Sequence, residues 1–240
     1  MNRRWVGVGI GVVVAIGAAC AIALQFFLAG SATAEFWEDE IEAFEQSDAE
    51  SAPEPGAIVF TGSSSIRMWD SLAEDMAPYR VLNRGFGGSH LAHVDTYAER
   101  IVLPYQPRAI VLYAGDNDVG SGKTAETVAR DFDRFVERVR AAGSDAPILF
   151  VAIKPSRLRF EQWPVMAAAN AAIAERCAKD PLLHYADIAG PMLALAEDGE
   201  PPPGRLFLFD GLHLSADGYA IWTRVMRQAL EQAVGPPPAG

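Results

Sequence analysis

A chain of 240 residues, half of them apolar, holds enough material for one domain with a full core and is not the composition of a disordered protein. Net charge is −11, and because the first 34 residues hold two arginines and no acid, the rest sets 18 basic against 31 acidic residues. So acidic a surface disfavours nucleic acid as a partner and weakens any attraction to anionic lipid.

Met1-Asn2-Arg3-Arg4 precedes an apolar run from Trp5 to Ala29. That length exceeds the roughly 7–15 apolar residues of a cleaved signal and matches the roughly 20 that span a bilayer. Residues 1–34 are therefore expected to anchor the protein, with the arginines cytoplasmic and the remainder outside. Cleavage after Ala34 and lipid attachment at Cys20 are the alternatives. Residues 35–56 read as an acidic amphipathic helix and a linker, with Trp37, Ile41 and Phe44 packing on the main domain.

The main domain is expected over 57–234, with a loose proline-rich tail at 235–240. Ala57–Phe60 reads as a first strand, running into Thr61-Gly62-Ser63-Ser64-Ser65 and a helix from Ile66 to Met76. Val81–Asn83 is a short second strand, ending in Gly85-Phe86-Gly87-Gly88, and Leu91–Val102 is helical. Ala109–Ala114 is apolar without alternation, as in a parallel strand covered on both faces, and stops at Gly115-Asp116-Asn117-Asp118. Val128, Phe132, Phe135 and Val139 mark a helix; Ile148–Ile153 is a fourth strand, Met166–Ala178 a helix and Leu182–Ile188 a fifth strand. Ser215 caps a last helix with Tyr219, Trp222, Val225, Met226 and Leu230 on one face. Strands alternating with helices about five times predict an α/β fold with a five-stranded, doubly wound parallel sheet. Right-handed crossovers then bring every strand-to-helix turn to one edge. Cys177 is the one thiol of this part, which excludes a disulfide framework or a cysteine-held zinc there.

That edge collects unusual polar chemistry: the hydroxyls of Ser63, Ser64 and Ser65, the Gly87-Gly88 turn, and Asn117 between two aspartates. Asp210 and His213 follow a proline-rich loop far along the chain. Acyl transfer needs a hydroxyl nucleophile, an imidazole, a carboxylate that fixes its tautomer, and donors for an oxyanion. Each part has a blander reading. The serines cap a helix, Gly87-Gly88 is a plain turn, Asp210 and His213 are a surface pair, and Asp116 and Asp118 are cation ligands. His90 reads as a loop residue, His93 as a helix-surface residue, His184 as a core residue and Cys177 as buried and inert. Lys154 and Arg157 sit on the active edge, facing either an anionic substrate or the acidic surface.

Gly62-Ser63-Ser64, Gly88, Gly115-Asp116-Asn117-Asp118 and Asp210-Gly211-Leu212-His213 resemble, in order, the four blocks of the SGNH (GDSL-type) hydrolases. The resemblance covers roughly residues 57–234 and implies a flavodoxin-like sheet and ester hydrolysis without a cofactor or metal. By position it implies Ser64 as nucleophile, His213 as base and Asp210 as its orienter. It implies an oxyanion hole of Ser64 N–H, Gly88 N–H and Asn117. The family's usual Asp before the serine is here Ser63, which also makes Ser63 and Ser65 rival nucleophiles. The expected activity is a serine esterase. A lipase or lysophospholipase, acyl transfer to or from an envelope sugar, and a non-catalytic binding module are the alternatives. Short connections predict an open site for short acyl groups, unless Leu206, Phe207 and Leu208 fold over it.

Overall fold

The computed structural model describes residues 33–236. The expected membrane anchor and the last residues of the tail lie outside the described residues. Residues through Asp39 form a unit of their own, in which a 3₁₀ turn, Ala34–Trp37, sets the Phe36 ring edge-on to Trp37 at 4.7 Å. The body runs from Glu40.

Five parallel strands, β1 (Ile58–Gly62), β2 (Val81–Gly85), β3 (Ala109–Tyr113), β4 (Ile148–Val151) and β5 (Leu183–Ala186), lie in the order β2-β1-β3-β4-β5. This is the five-stranded parallel sheet expected. Helix α1 is Glu38–Glu50; from Glu40 onward Ile41 is buried and Phe44 lies 4.9 Å under the Arg84 guanidinium, as their spacing predicts. Asp48 at its end receives Arg84 and the Tyr105 hydroxyl.

Side chains alternate along the strands, so each face takes its own core. Ile58, Phe60, Val111, Tyr113, Leu149 and Val151 share one cluster with Trp222, Met226 and Leu230 of the last helix, α9 (Ala216–Val234). The opposite face receives Phe132, whose ring meets Phe150 at 5.3 Å from helix α6 (Ala125–Ala141). Helices α4 (Leu91–Ile101), α6 and α7 (Trp163–Cys177) pack side by side, while α9 packs on the short helices α3 (Leu72–Met76) and α8 (Ala189–Leu193).

Three expectations are corrected. The helix expected over Ile66–Met76 is two pieces, α2 (Ser64–Arg67) and α3. Between them Trp69 turns into the core, stacking on Tyr219 at 5.2 Å and donating its indole N–H to Asp75. Burying that ring overrides the continuous helical pattern. His93 is not on the surface but buried, its Nδ1 accepting the backbone N–H of His90 at the start of α4. His184 is half-buried on the edge strand β5 rather than in the core.

The sheet order makes β1 and β3 neighbours whose connections leave in opposite directions, the crevice where ligands bind in open α/β sheets. Gly62 closes β1 at φ +131, where a Cβ would lie 1.8 Å from the Tyr113 carbonyl oxygen. Neither the dihedral nor the space admits a side chain. Gly62→Ala is therefore expected to lose more than about 4 kcal/mol of stability in urea unfolding; a loss below about 1 kcal/mol contradicts this packing.

Candidate active site

Ser63 is extended, at φ −88 and ψ −164, and its N–H donates to the Tyr113 carbonyl at 2.9 Å. The chain then turns into α2, and the neighbouring hydroxyls go different ways. The Ser63 Oγ is buried without a partner, and the Ser65 Oγ accepts the Lys154 ammonium at 3.0 Å inside the core. Ser64 Oγ lies 3.0 Å from His213 Nε2. Among these serines the structure brings Ser64 alone to an imidazole.

His213 stands on a loop pinned across its base. Phe207 and Leu214 form an antiparallel bridge, and Leu208 N–H donates to the His213 carbonyl at 2.7 Å. Gly211, at φ +67, makes the turn, and Asp210 Oδ1 accepts the N–H groups of Leu212 and His213 at 2.9 and 3.0 Å. The other carboxylate oxygen, Oδ2, takes His213 Nδ1 at 2.6 Å. A carboxylate only accepts, so Nδ1 carries the proton and Nε2 offers its lone pair toward Ser64. Partial burial alone would raise the Asp210 pKa, but the His213 hydrogen bond and the two N–H donors outweigh it and hold the carboxyl at about 2.

The expected oxyanion donors are Ser64 N–H, Gly88 N–H and Asn117. The N–H groups of Ser64 and Gly88 donate to no group among the described residues. Gly88 turns at φ +81, and the Arg67 guanidinium packs against Gly87, where a Cβ would lie 2.7 Å from its Cζ. Asn117 opens the short helix α5 (Asp116–Gly120); its Nδ2 donates to Ser89 O at 3.2 Å and its Oδ1 accepts Arg159 Nη1 at 3.0 Å.

The flanking aspartates are structural. Asp116 Oδ2 accepts the Lys154 ammonium at 2.7 Å and Asp116 Oδ1 accepts the Asn117 N–H at 3.0 Å. Burial alone would raise the Asp116 pKa, but the Lys154 and Arg159 charges pull it below the usual carboxylate range. Asp118 points elsewhere, accepting Leu91 N–H at 3.2 Å and Lys123 at 2.7 Å. Lys154, expected to face either substrate or surface, is fully buried. Arg157 donates to Pro202 O at 3.0 Å, holding the proline-rich loop. Leu206 and Phe207 are buried in the core and form no flap, whereas Leu208, Phe209 and Leu158 are exposed, Phe209 fully. His90 is half-buried and stacks on His93 at 4.8 Å; burial lowers its pKa. Burial also pushes the Cys177 thiol up to about 11. Arg159 escaped the sequence reading, since nothing in an arginine eleven positions past the start of β4 and two past Arg157 marks it.

A serine, a histidine and an aspartate joined in series is the arrangement acyl transfer requires. A family profile described as the GDSL-like Lipase/Acylhydrolase family matches residues 41–221, well over half the chain.

The chain belongs to the GDSL-like lipase/acylhydrolase (SGNH) family.

The family typically hydrolyses esters. No curated protein matches the chain. Among solved structures, a protein provisionally assigned as a platelet activating factor from Streptococcus pneumonia superposes with a TM-score of 0.73 at 17% identity, over 89% of this chain and 99% of that one. A GDSL-like lipase from Bacteroides thetaiotaomicron gives 0.64 at 18% identity, over 85% and 99%. A catalytic mutant of an acetylxylan esterase from Geobacillus stearothermophilus gives 0.60 at 13% identity, over 74% and 96%. At these identities the likeness is one of fold.

The Asp210 value has a consequence for pH. A carboxyl whose folded-state pKa lies below its unfolded value of 3.8 stabilises the fold above that value, and the contribution is lost as pH falls toward about 2. The carboxyl carbon resonance of Asp210 is expected to stay that of an ionised group down through the 3.8 of a free aspartate, and a midpoint at or above 3.8 contradicts the geometry.

Proposed function

We propose that this GDSL-family protein is a serine esterase acting on short acyl esters of a polar carrier such as a sugar. The observation that carries the reading is the series Asp210 Oδ2–His213 Nδ1, His213 Nε2–Ser64 Oγ, at 2.6 and 3.0 Å, on the carboxyl edge of the sheet. His213 Nε2 takes the Ser64 proton as Oγ attacks the ester carbonyl, and Asp210 stabilises the imidazolium. The carbonyl oxygen gains charge facing Ser64 N–H, Gly88 N–H and the second N–H of Asn117 Nδ2. His213 returns the proton to the departing alcohol, leaving an acyl group on Ser64 and a neutral imidazole. The same histidine then takes a proton from water as it attacks the acyl carbon, and returns that proton to Ser64 Oγ as the bond to the acyl group breaks and the acid leaves. The reaction uses no cofactor.

Leu206 and Phe207 face the core, which supports an open site on that side. A second reading, a lipase or lysophospholipase, draws on Phe209, Leu208 and Leu158, which expose apolar surface around the His213 loop. For the leader we propose a membrane anchor at residues 1–34 that holds the catalytic domain outside the cytoplasm. The support is the apolar run from Trp5 to Ala29 behind Arg3-Arg4.

Turnover of aryl esters from acetate to palmitate tests the reading. Acetate to butyrate are expected to give the highest kcat/KM; a maximum at laurate or beyond would establish the lipase reading, and no turnover at all would leave a binding module. Ser64→Ala is expected to lower kcat at least about 10⁴-fold and Asn117→Ala about 10²–10³-fold. Ser63→Ala is expected to keep most activity, since its Oγ makes no hydrogen bond among the described residues. Full-length protein is expected to sediment with membranes; soluble, uncut protein in the cytoplasm contradicts the anchor.

A further inference from the structure

We infer that Arg159 is a positioning residue of the oxyanion site, fixing the orientation of the Asn117 amide and sharpening its N–H donors. The inference rests on the oxyanion role proposed above for Asn117. A primary amide can present either end to a ligand, and only the Nδ2 end stabilises an oxyanion. Here each end meets a group of one polarity. The Arg159 guanidinium only donates, so the atom 3.0 Å from Nη1 must be Oδ1. The Ser89 carbonyl only accepts, so the atom 3.2 Å from it must be Nδ2. One Nδ2 hydrogen is thereby held by Ser89, and the second is left for the substrate. A cation on Oδ1 also draws charge from the amide nitrogen, which makes the remaining N–H a stronger donor.

Arg159 is itself held for this task. Its guanidinium lies 3.6 Å from Asp116 Oδ2, the carboxylate that also accepts the Asn117 backbone N–H. One buried carboxylate thus ties down both partners. Room for the guanidinium comes from Gly120, where a Cβ would lie 3.1 Å from Arg159 Cζ and Nε. Gly120 is not among the positive-φ glycines, so its lack of a side chain serves space rather than backbone conformation. The segment carrying Arg159 is pinned on both sides, by Leu158 N–H to the Gly211 carbonyl at 3.0 Å and Gln162 N–H to the Arg159 carbonyl at 2.9 Å. The first of these joins it to the loop that bears Asp210 and His213.

A double-mutant cycle on aryl acetate tests this. Arg159→Met is expected to lower kcat about 10- to 100-fold, the worth of a charged hydrogen bond, with KM unchanged. In an Asn117→Ala background the same change is expected to have no further effect, because the group it serves is gone. Arg159→Lys keeps the charge without the planar fork, is expected to fall between, and carries the test if the Met variant does not fold. A rise in KM at constant kcat would show that Arg159 holds substrate instead, and an equal loss in both backgrounds would show that it acts apart from Asn117. Either result overturns the inference. The side-chain NH₂ resonance of Asn117 gives a reading that needs no turnover: it is expected to shift in Arg159→Met and not in Arg157→Met. An unmoved resonance overturns the inference even if the protein hydrolyses esters; a shifted one upholds the Arg159–Asn117 contact even if it hydrolyses none.

Discussion

A fully buried ammonium holds the catalytic edge together. Lys154, just past β4, donates to Ser65 Oγ, Tyr113 Oη and Asp116 Oδ2 at 3.0, 2.9 and 2.7 Å, and lies 5.1 Å over the Tyr113 ring. Each acceptor comes from a different part of the edge: the turn after β1, the end of β3 and the start of α5. An ammonium has three N–H groups, and here each has a partner, which is the condition for burying one at tolerable cost. Such a pair is weak evidence for net stability, since a well-packed apolar replacement can do as well. Its geometric effect is clearer. It fixes the spacing between the turn that carries Ser64 and the helix that carries Asn117.

From that fixed edge the rest of the site follows in layers. Asp116, held by Lys154, in turn holds the Asn117 backbone and steadies Arg159. Gly62 and Gly85 let the strand ends come close beneath α2; at Gly85 a Cβ would lie 2.4 Å from the Arg67 nitrogen. The His213 loop is built separately, on its own bridge and turn, and meets Ser64 from above the sheet. The aspartates flanking Asn117, open as cation ligands in the sequence, turn out to serve opposite neighbours.

Much of this was legible in the chain. Apolar runs located all five strands within a few residues; the central three, β1, β3 and β4, are buried throughout, and a strand covered on both faces leaves that signature whatever packs on it. Ser64, Asp210 and His213 were legible through the resemblance of their blocks to the family, and the structure joins them. What depended on distant contacts was not. The break at Trp69 follows from an aromatic cluster with Tyr219 and Trp222, some 150 positions away. The role of Lys154 follows from partners on other elements. Arg159 is the sharpest case, since its meaning lies in Asn117, Asp116 and Gly120 rather than in its neighbours.

On the proposed mechanism Ser64, and neither adjacent serine, is the activated hydroxyl. Labelling the folded protein with a fluorophosphonate and mapping the adduct by peptide mass tests this most directly. A single adduct on Ser64 is expected, lost in His213→Ala and in heat-denatured protein. An adduct on Ser63 or Ser65, or one that forms equally well without His213, would contradict it.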